Sequence, residues 1–254
     1  MDYNLRELRS AAEEFARLGG NSTLKHFNKS FELEYKDDDS PVTNADREAE
    51  QLIRDEIKKR YPGHGIIGEE FGSENPESDV VWILDPIDGT KSFIHGVPIY
   101  TTLIGVVVNN VPSAGVIYAP ALDELVSAAK GGGCTLNGEP CRVRKCDSLE
   151  KATLLTTDVT SFEEFGFESP LKKLLESTRL HRTWGDAYGH MLVATGRADI
   201  MIDAVLNIWD AAALLPVVTE AGGSYTDVNG NVTIETGNAI STTKELLPKI
   251  LSYF

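Results

Sequence analysis

Five apolar residues in a row, Val80 to Leu84, run straight into a carboxylate, Asp85, and a second acid, Asp88, follows three residues later. A short continuous apolar run reads as a buried strand, so the chain must form layers that cover it. Pro86 then fixes the backbone just past Asp85, which holds that acid in place. Asp-Pro and Asp-Gly are also common turn formers, and a plain turn is the competing reading. If a helix starts near Asp88 to Thr90, the free amides of Gly89 and Thr90 point outward and, with the helix dipole, suit a phosphate. One loop would then offer oxygen ligands for a hard cation and donors for the anion that accompanies it.

The rest of the chain supplies the covering elements. Apolar spacing predicts a helix over 3–18, ended by Gly19-Gly20, and a second over 44–60, acidic early and basic late. Strands are predicted at 80–84, 99–108, 113–118 and 125–129, with Asn109-Asn110 as a turn. Beyond Asp147 strands at 152–157, 199–203 and 238–242 alternate with helices at 161–178, 186–196, 208–221 and 243–252. The first half reads as α+β and the second as α/β. The expected division is 1–147, a metal- and phosphate-binding half, and 148–254, a substrate-specificity half. Residues 63–68, GHGIIG, match a dinucleotide fingerprint by spacing only, since a helix precedes them and Glu69-Glu70 follow.

With 24 basic and 39 acidic residues the formal charge is −15. That balance, with no basic patch, argues against nucleic acid and anionic membranes as partners. The run Lys36-Asp37-Asp38-Asp39 reads as a solvated loop. Cys134, Cys141 and Cys146 are too few and too irregular for a disulfide framework or zinc ribbon. The five histidines show no paired ligand spacing. No targeting segment or membrane span is seen, so a cytoplasmic protein is expected.

A hard cation needs more acids than two. Asp46 in PVTNAD, Glu69 in IIGEEF and Asp210 in LNIWDAAA each stand at a predicted helix start or strand end, where capping alone could explain them singly. Together with WILDPIDGTKSF (82–93) and NIWDAAALLPVVTEAGG (207–223), they make the chain resemble the inositol monophosphatase family over nearly its full length. The resemblance implies a layered αβαβα fold, commonly a homodimer. It implies hydrolysis of small phosphate monoesters by metal-activated water attacking in line, with two or three Mg²⁺ per site. Carried over by residue, Glu69, Asp85 and the Ile87 carbonyl would bind one magnesium and Asp85, Asp88 and Asp210 a second. Asp46 and Glu69 would lie near a third. Thr90, hydrogen-bonded to Asp46, would help orient the water, and the Gly89 and Thr90 amides would hold the phosphate. Asp46, Glu69 and Thr90 are thus the expected catalytic residues.

Substrate choice is expected from Arg182, Asp186, Asp203 and Asp210. Asp186 has helix capping as its alternative, and Arg182 has pairing with a neighbouring acid. The segment TWGDAYGHMLVATGRADIMID resembles the histidinol-phosphate phosphatases of this superfamily, and extra carboxylates suit an ammonium and an imidazole. An inositol-1-phosphate or broad sugar-phosphate phosphatase is the alternative. A nucleotide bisphosphate phosphatase is disfavoured by the lack of a basic patch. An inactive metal-binding regulatory subunit is disfavoured by the intact acid set.

Overall fold

The structure, a computed structural model, describes residues 3–29, 32–35 and 41–254. The acidic run at 36–39 lies outside the described residues. Helix α1 (Leu5–Thr23) is capped by Asn4, whose side chain accepts the Glu7 amide. A ribbon of β1 (Leu33–Tyr35) and β2 (Pro41–Thr43) leads into α2 (Asn44–Arg60). Strands β3 (Gly65–Gly68), β4 (Gly72–Glu74) and β5 (Val80–Asp88) precede the short helix α3 (Thr90–Ile94). A meander follows: β6 (Thr101–Val108), β7 (Val111–Ala119), β8 (Glu124–Ala129), β9 (Cys134–Leu136) and β10 (Glu139–Cys141). The remaining elements are β11 (Thr153–Thr156), α4 (Thr160–Glu164), α5 (Glu168–Ser177), β12 (Leu180–Arg182), α6 (Asp186–Ala194), β13 (Ile200–Asp203), α7 (Ile208–Glu220), β14 (Ser224–Thr226), β15 (Ala239–Thr242) and α8 (Leu247–Leu251).

Eight strands form one sheet in the order β10-β9-β8-β7-β6-β5-β3-β4, and five form another, β12-β11-β13-β15-β14. In the larger sheet only β3 and β5 run parallel; in the smaller, β11 runs parallel to β12 and β13. Helices α1 and α2 cover the outer face of the larger sheet, α6 and α7 lie between the two sheets, and α5 and α8 close the far side. This is the αβαβα layering. Along β5, Val80, Trp82 and Leu84 face the α1–α2 core, while Val81 and Ile83 face Ala212 of α7. Both faces are covered, which is why the run is apolar throughout.

Several boundaries differ from expectation. Gly19 and Gly20 do not end α1 but lie buried within it. A Cβ on Gly19 would come within 2.5 Å of Ile53 Cδ1, and one on Gly20 within 2.6 Å of Tyr118 Cδ1, so these glycines allow close packing. The helix expected at 161–178 is two, broken at Gly166 with its positive φ of 80°. The last helix starts at Leu247 because Pro248 takes its first turn. The short strands β9, β10, β12 and β14 carry too little alternation to be seen in the sequence.

Candidate active site

Asp85 follows Ile83 on the α7 side of β5, as strand alternation requires. Asp88, three residues on, would face the other way in a regular strand. The register with β6 slips instead: Asp85 pairs with Leu103 and Asp88 with Thr101, three steps against two. This one-residue bulge resets the alternation and returns Asp88 to the same side. Helix α7 brings the third acid. Its Ala212 and Ala213 lie so close to the sheet that a Cβ on Gly105 would be 2.5 Å from Ala212 Cβ, and one on Gly115 2.2 Å from the Ala213 carbonyl oxygen. Asp210, in the first turn of α7, accepts the Asn207 amide at 2.6 Å. Carboxylate oxygens of Asp85, Asp88 and Asp210 all lie within 4.8 Å of one another.

Asp85 and Asp88 are buried and Asp210 half-buried. Burial raises the pKa of Asp85, and the charges of Glu69, Asp88 and Asp210 raise it further. Burial likewise lifts Asp88, helped by Asp186 and Asp210 and opposed by hydrogen bonds from the Ala187 amide and Thr101. Asp210 is pushed up to about 6, chiefly by burial. Such a cluster resists full ionisation alone and accepts it readily around a cation.

The cluster forms part of a cavity of about 390 Å³ whose lining includes Glu69, Gly89, Thr90, Lys91, Asp186 and Asp203. Glu69 sits in a loop anchored from below. Buried Glu50 accepts the Glu70 amide at 2.8 Å and the Phe71 amide at 3.2 Å, and Arg54 donates to Glu50 at 2.7 Å. Gly89 takes a positive φ of 79°, and a Cβ there would meet Asp186 Oδ2 at 2.9 Å. The glycine therefore serves both the turn and the approach of Asp186. Asp186 opens α6 with φ of +54°, a left-handed conformation uncommon for a non-glycine residue. Its amide donates to Thr157 Oγ1 at 2.8 Å, and the next amide, Ala187, donates to Asp88 at 2.8 Å. Burial and the charges of Asp203 and Asp210 push the Asp186 carboxyl up to about 7, with Lys91 pulling the other way.

Of the residues singled out from the sequence, Glu69, Asp85, Ile87, Asp88, Gly89, Thr90, Asp186, Asp203 and Asp210 all line this cavity. Asp46 is not part of the cavity lining but is near enough for the charges of Glu70 and Glu69 to act on it. The expected bond between Thr90 and Asp46 is replaced: Thr90 donates to the Ile87 carbonyl at 3.0 Å. Asp46 accepts the amide and hydroxyl of Thr43, at 2.8 and 2.6 Å, as a helix capping box. Arg182 lies outside the cavity lining, exposed, and donates to the His181 carbonyl. Asp186 does not cap α6 with its side chain; Thr157 and Asp88 take the first amides. Lys91, Thr157 and Asp158 line the cavity but were not foreseen. Thr157 and Asp158 immediately follow a parallel strand, and the carboxyl end of such a strand is where open α/β sheets place ligands.

The model of the inositol monophosphatase family matches residues 4–254. The chain belongs to that family. Its members are metal-dependent phosphatases of small phosphorylated molecules. Among relatives, a histidinol-phosphatase from Chlorobaculum parvum is 42% identical over 230 residues, 90% of this chain and 89% of the relative. The extragenic suppressor protein suhB of Bartonella henselae superposes with a TM-score of 0.91 at 30% identity, covering 97% of this chain and 98% of that one. An inositol monophosphatase from Zymomonas mobilis gives 0.89 at 32% identity over 99% of both. Among the described residues no helix is long and apolar enough to cross a membrane.

Proposed function

We propose that this inositol monophosphatase family member is a magnesium-dependent histidinol-phosphate phosphatase. The observation that carries the substrate is that the cavity holding the Asp85–Asp88–Asp210 cluster also presents a second set of acids, Asp158, Asp186 and Asp203. Histidinol phosphate offers an ammonium and an imidazole to such a wall, and the 42% identical relative bears the matching name.

The cluster fits a hard divalent cation. Its donors are carboxylate oxygens, mutually within 4.8 Å, whose burial and mutual repulsion favour a bound cation. We assign Asp85, Asp88 and Asp210 to one magnesium, and Glu69, Asp85 and the Ile87 carbonyl to another, with Asp46 and Glu69 beside a third position. When bound, magnesium neutralises charge on the phosphoryl oxygens and acidifies the attacking water. The Gly89 and Thr90 amides hold the phosphate oxygens at the start of α3. Glu69, Thr90 and Asp46 orient the water for in-line attack. The water oxygen bonds to phosphorus as the P–O bond to the alcohol breaks, and the alcohol oxygen leaves with the electron pair and takes up a proton that the water gives up. The half before residue 147 thus supplies most of the metal and phosphate ligands, and the half after it reads the alcohol. A cytoplasmic homodimer is the proposed setting, in keeping with three free cysteines.

Inositol 1-phosphate is the second reading, favoured by the name of the Zymomonas relative and by carboxylates that also accept hydroxyl donors. Phosphate release with magnesium from histidinol phosphate, inositol 1-phosphate, fructose 1,6-bisphosphate and adenosine 3′,5′-bisphosphate decides between them. Histidinol phosphate should have the highest kcat/KM, by at least about tenfold over inositol 1-phosphate, since a charge-assisted hydrogen bond contributes about 1.5–3 kcal/mol. A better rate on inositol 1-phosphate would overturn the assignment, and no release from any of them would leave a binding protein.

A further inference from the structure

Asp203 ends β13, where Ile200 and Ile202 face α5 and α8, and Met201 and Asp203 face α6. On α6 a histidine meets it. His190 has no exposed surface. Its Nε2 lies 2.9 Å from Asp203 Oδ2 and its Nδ1 2.6 Å from Ser241 Oγ. The Tyr225 ring packs against the imidazole, centroids 6.2 Å apart. On the other side, Thr157 Oγ1 donates to Asp203 Oδ1, and the same hydroxyl oxygen accepts the Asp186 amide.

The hydrogen bonds of this chain converge on Asp203. An ionised Asp203 only accepts. Thr157 has a single proton and gives it to Asp203 while accepting from Asp186. His190 then carries a proton on Nε2, and its Nδ1 is hydrogen-bonded to the Ser241 hydroxyl. Every donor points towards Asp203. A carboxylate has about four acceptor sites; Thr157 and His190 fill two, and Asp203 also lines the cavity. The Thr157 link also ties Asp203 to the left-handed backbone of Asp186, the neighbouring acid of the same wall.

We propose that His190 and Thr157 are positioning residues for substrate recognition: they clamp Asp203 from two sides as a fixed acceptor for N–H or O–H donors on the alcohol part of the phosphate ester. This rests on the reading that Asp203 meets the substrate. A histidine that merely fills the core would affect every substrate alike, whereas a clamp on Asp203 affects only esters that reach it.

The test is steady-state kinetics with magnesium on His190→Leu, His190→Gln, Thr157→Val, Asp203→Asn and the double His190→Leu/Asp203→Asn. The substrates are histidinol phosphate, inositol 1-phosphate and p-nitrophenyl phosphate. For whichever biological ester the wild type prefers, His190→Leu and Thr157→Val should each raise KM about tenfold, the lower end for a charge-assisted hydrogen bond, with kcat within about twofold. His190→Leu should leave p-nitrophenyl phosphate turnover unchanged. His190→Gln, whose amide can replace the Nε2 donor, should recover most of the KM. The double variant should be no worse than Asp203→Asn alone, as expected for residues acting through one another. Normal KM in His190→Leu and Thr157→Val, a parallel loss on the aryl ester, or additive losses in the double would each overturn the clamp. If His190→Leu does not fold, Thr157→Val and His190→Gln decide by the same KM values. If inositol 1-phosphate is preferred, the histidinol assignment falls, and the clamp stands or falls on the KM for that ester.

Discussion

Asp85 is the acid shared by the two proposed magnesium positions. It closes the apolar run of β5, accepts the Ile87 amide at 3.0 Å, and lies beside both Asp88 and Asp210. Asp85→Asn should lower kcat by at least about 10²-fold, the size of effect a small misplacement of reacting groups produces. The same change removes one charge from a buried, self-repelling set, so the metal-free protein should melt no lower than wild type. Turnover near normal at saturating magnesium would return Asp85 to a simple turn role. At this scale the sequence was most legible where a motif fixes residue and spacing together, as in DPIDGT. It was less so where a side chain chooses among acceptors. Whether Thr90 bonds Asp46 or the Ile87 carbonyl is not marked in the local sequence, and the capping box at Thr43 already occupies Asp46. Thr157 and His190 stayed hidden because each has an ordinary bland role in a sequence, and only folding brings both to Asp203.

Among the elements, α7 shows how packing delivers chemistry. Its alanines meet glycines of β6 and β7, so the helix lies low on the sheet and Asp210 reaches Asp85. Gly105→Ala would place a methyl 2.5 Å from Ala212 Cβ and 2.8 Å from the Ala212 backbone carbon, so helix or sheet must move. Such overpacking costs about 1–3 kcal/mol. It should also weaken activity by lifting Asp210 from its partners, visible as a higher magnesium concentration for half-maximal rate. Gly63→Ala, with nothing within 4 Å of the new Cβ, is the control and should change neither. If Gly105→Ala melts lower but keeps its magnesium dependence, close packing serves stability only. Long helices such as α2 were readable from apolar spacing and charge order. The bulge between Asp85 and Asp88 was not, because pairing with β6 creates it and no local pattern marks it.

In the whole molecule the site joins layers: β5 supplies Asp85 and Asp88, while α6 and α7, between the sheets, supply Asp186 and Asp210. A chain of formal charge −15 thus gathers acids where its two sheets meet across these helices. The consequence is a pH-dependent stability that a divalent cation should reduce. Asp210 is raised to about 6 and Asp186 and Asp46 to about 7, and Asp85 and Asp88 are raised too. A carboxyl raised on folding stabilises fully below its unfolded pKa, about 4, and that stabilisation is lost as pH climbs through the folded value. His64 and His181, lowered by burial, act in the opposite sense, but only below their unfolded value of about 6.5. Between about pH 6.5 and 7.5 the acids therefore dominate, and chelated protein should melt lower at the higher pH. Saturating magnesium pays for the repulsion by holding its carboxylate ligands ionised, so the slope should shrink to the part that Asp186 contributes. At about a hundred times its dissociation constant, it should add about 2.7 kcal/mol, or roughly 5–10 °C for a chain of this size. Calcium, a hard cation with a larger and looser shell, should raise the melting temperature yet fail to support turnover. Thermal unfolding in chelator, magnesium and calcium at the two pH values checks all of this. A chelated protein that melts higher at pH 7.5, or one indifferent to both cations, would mean that the acids of this cavity are held apart well enough to ionise without a metal.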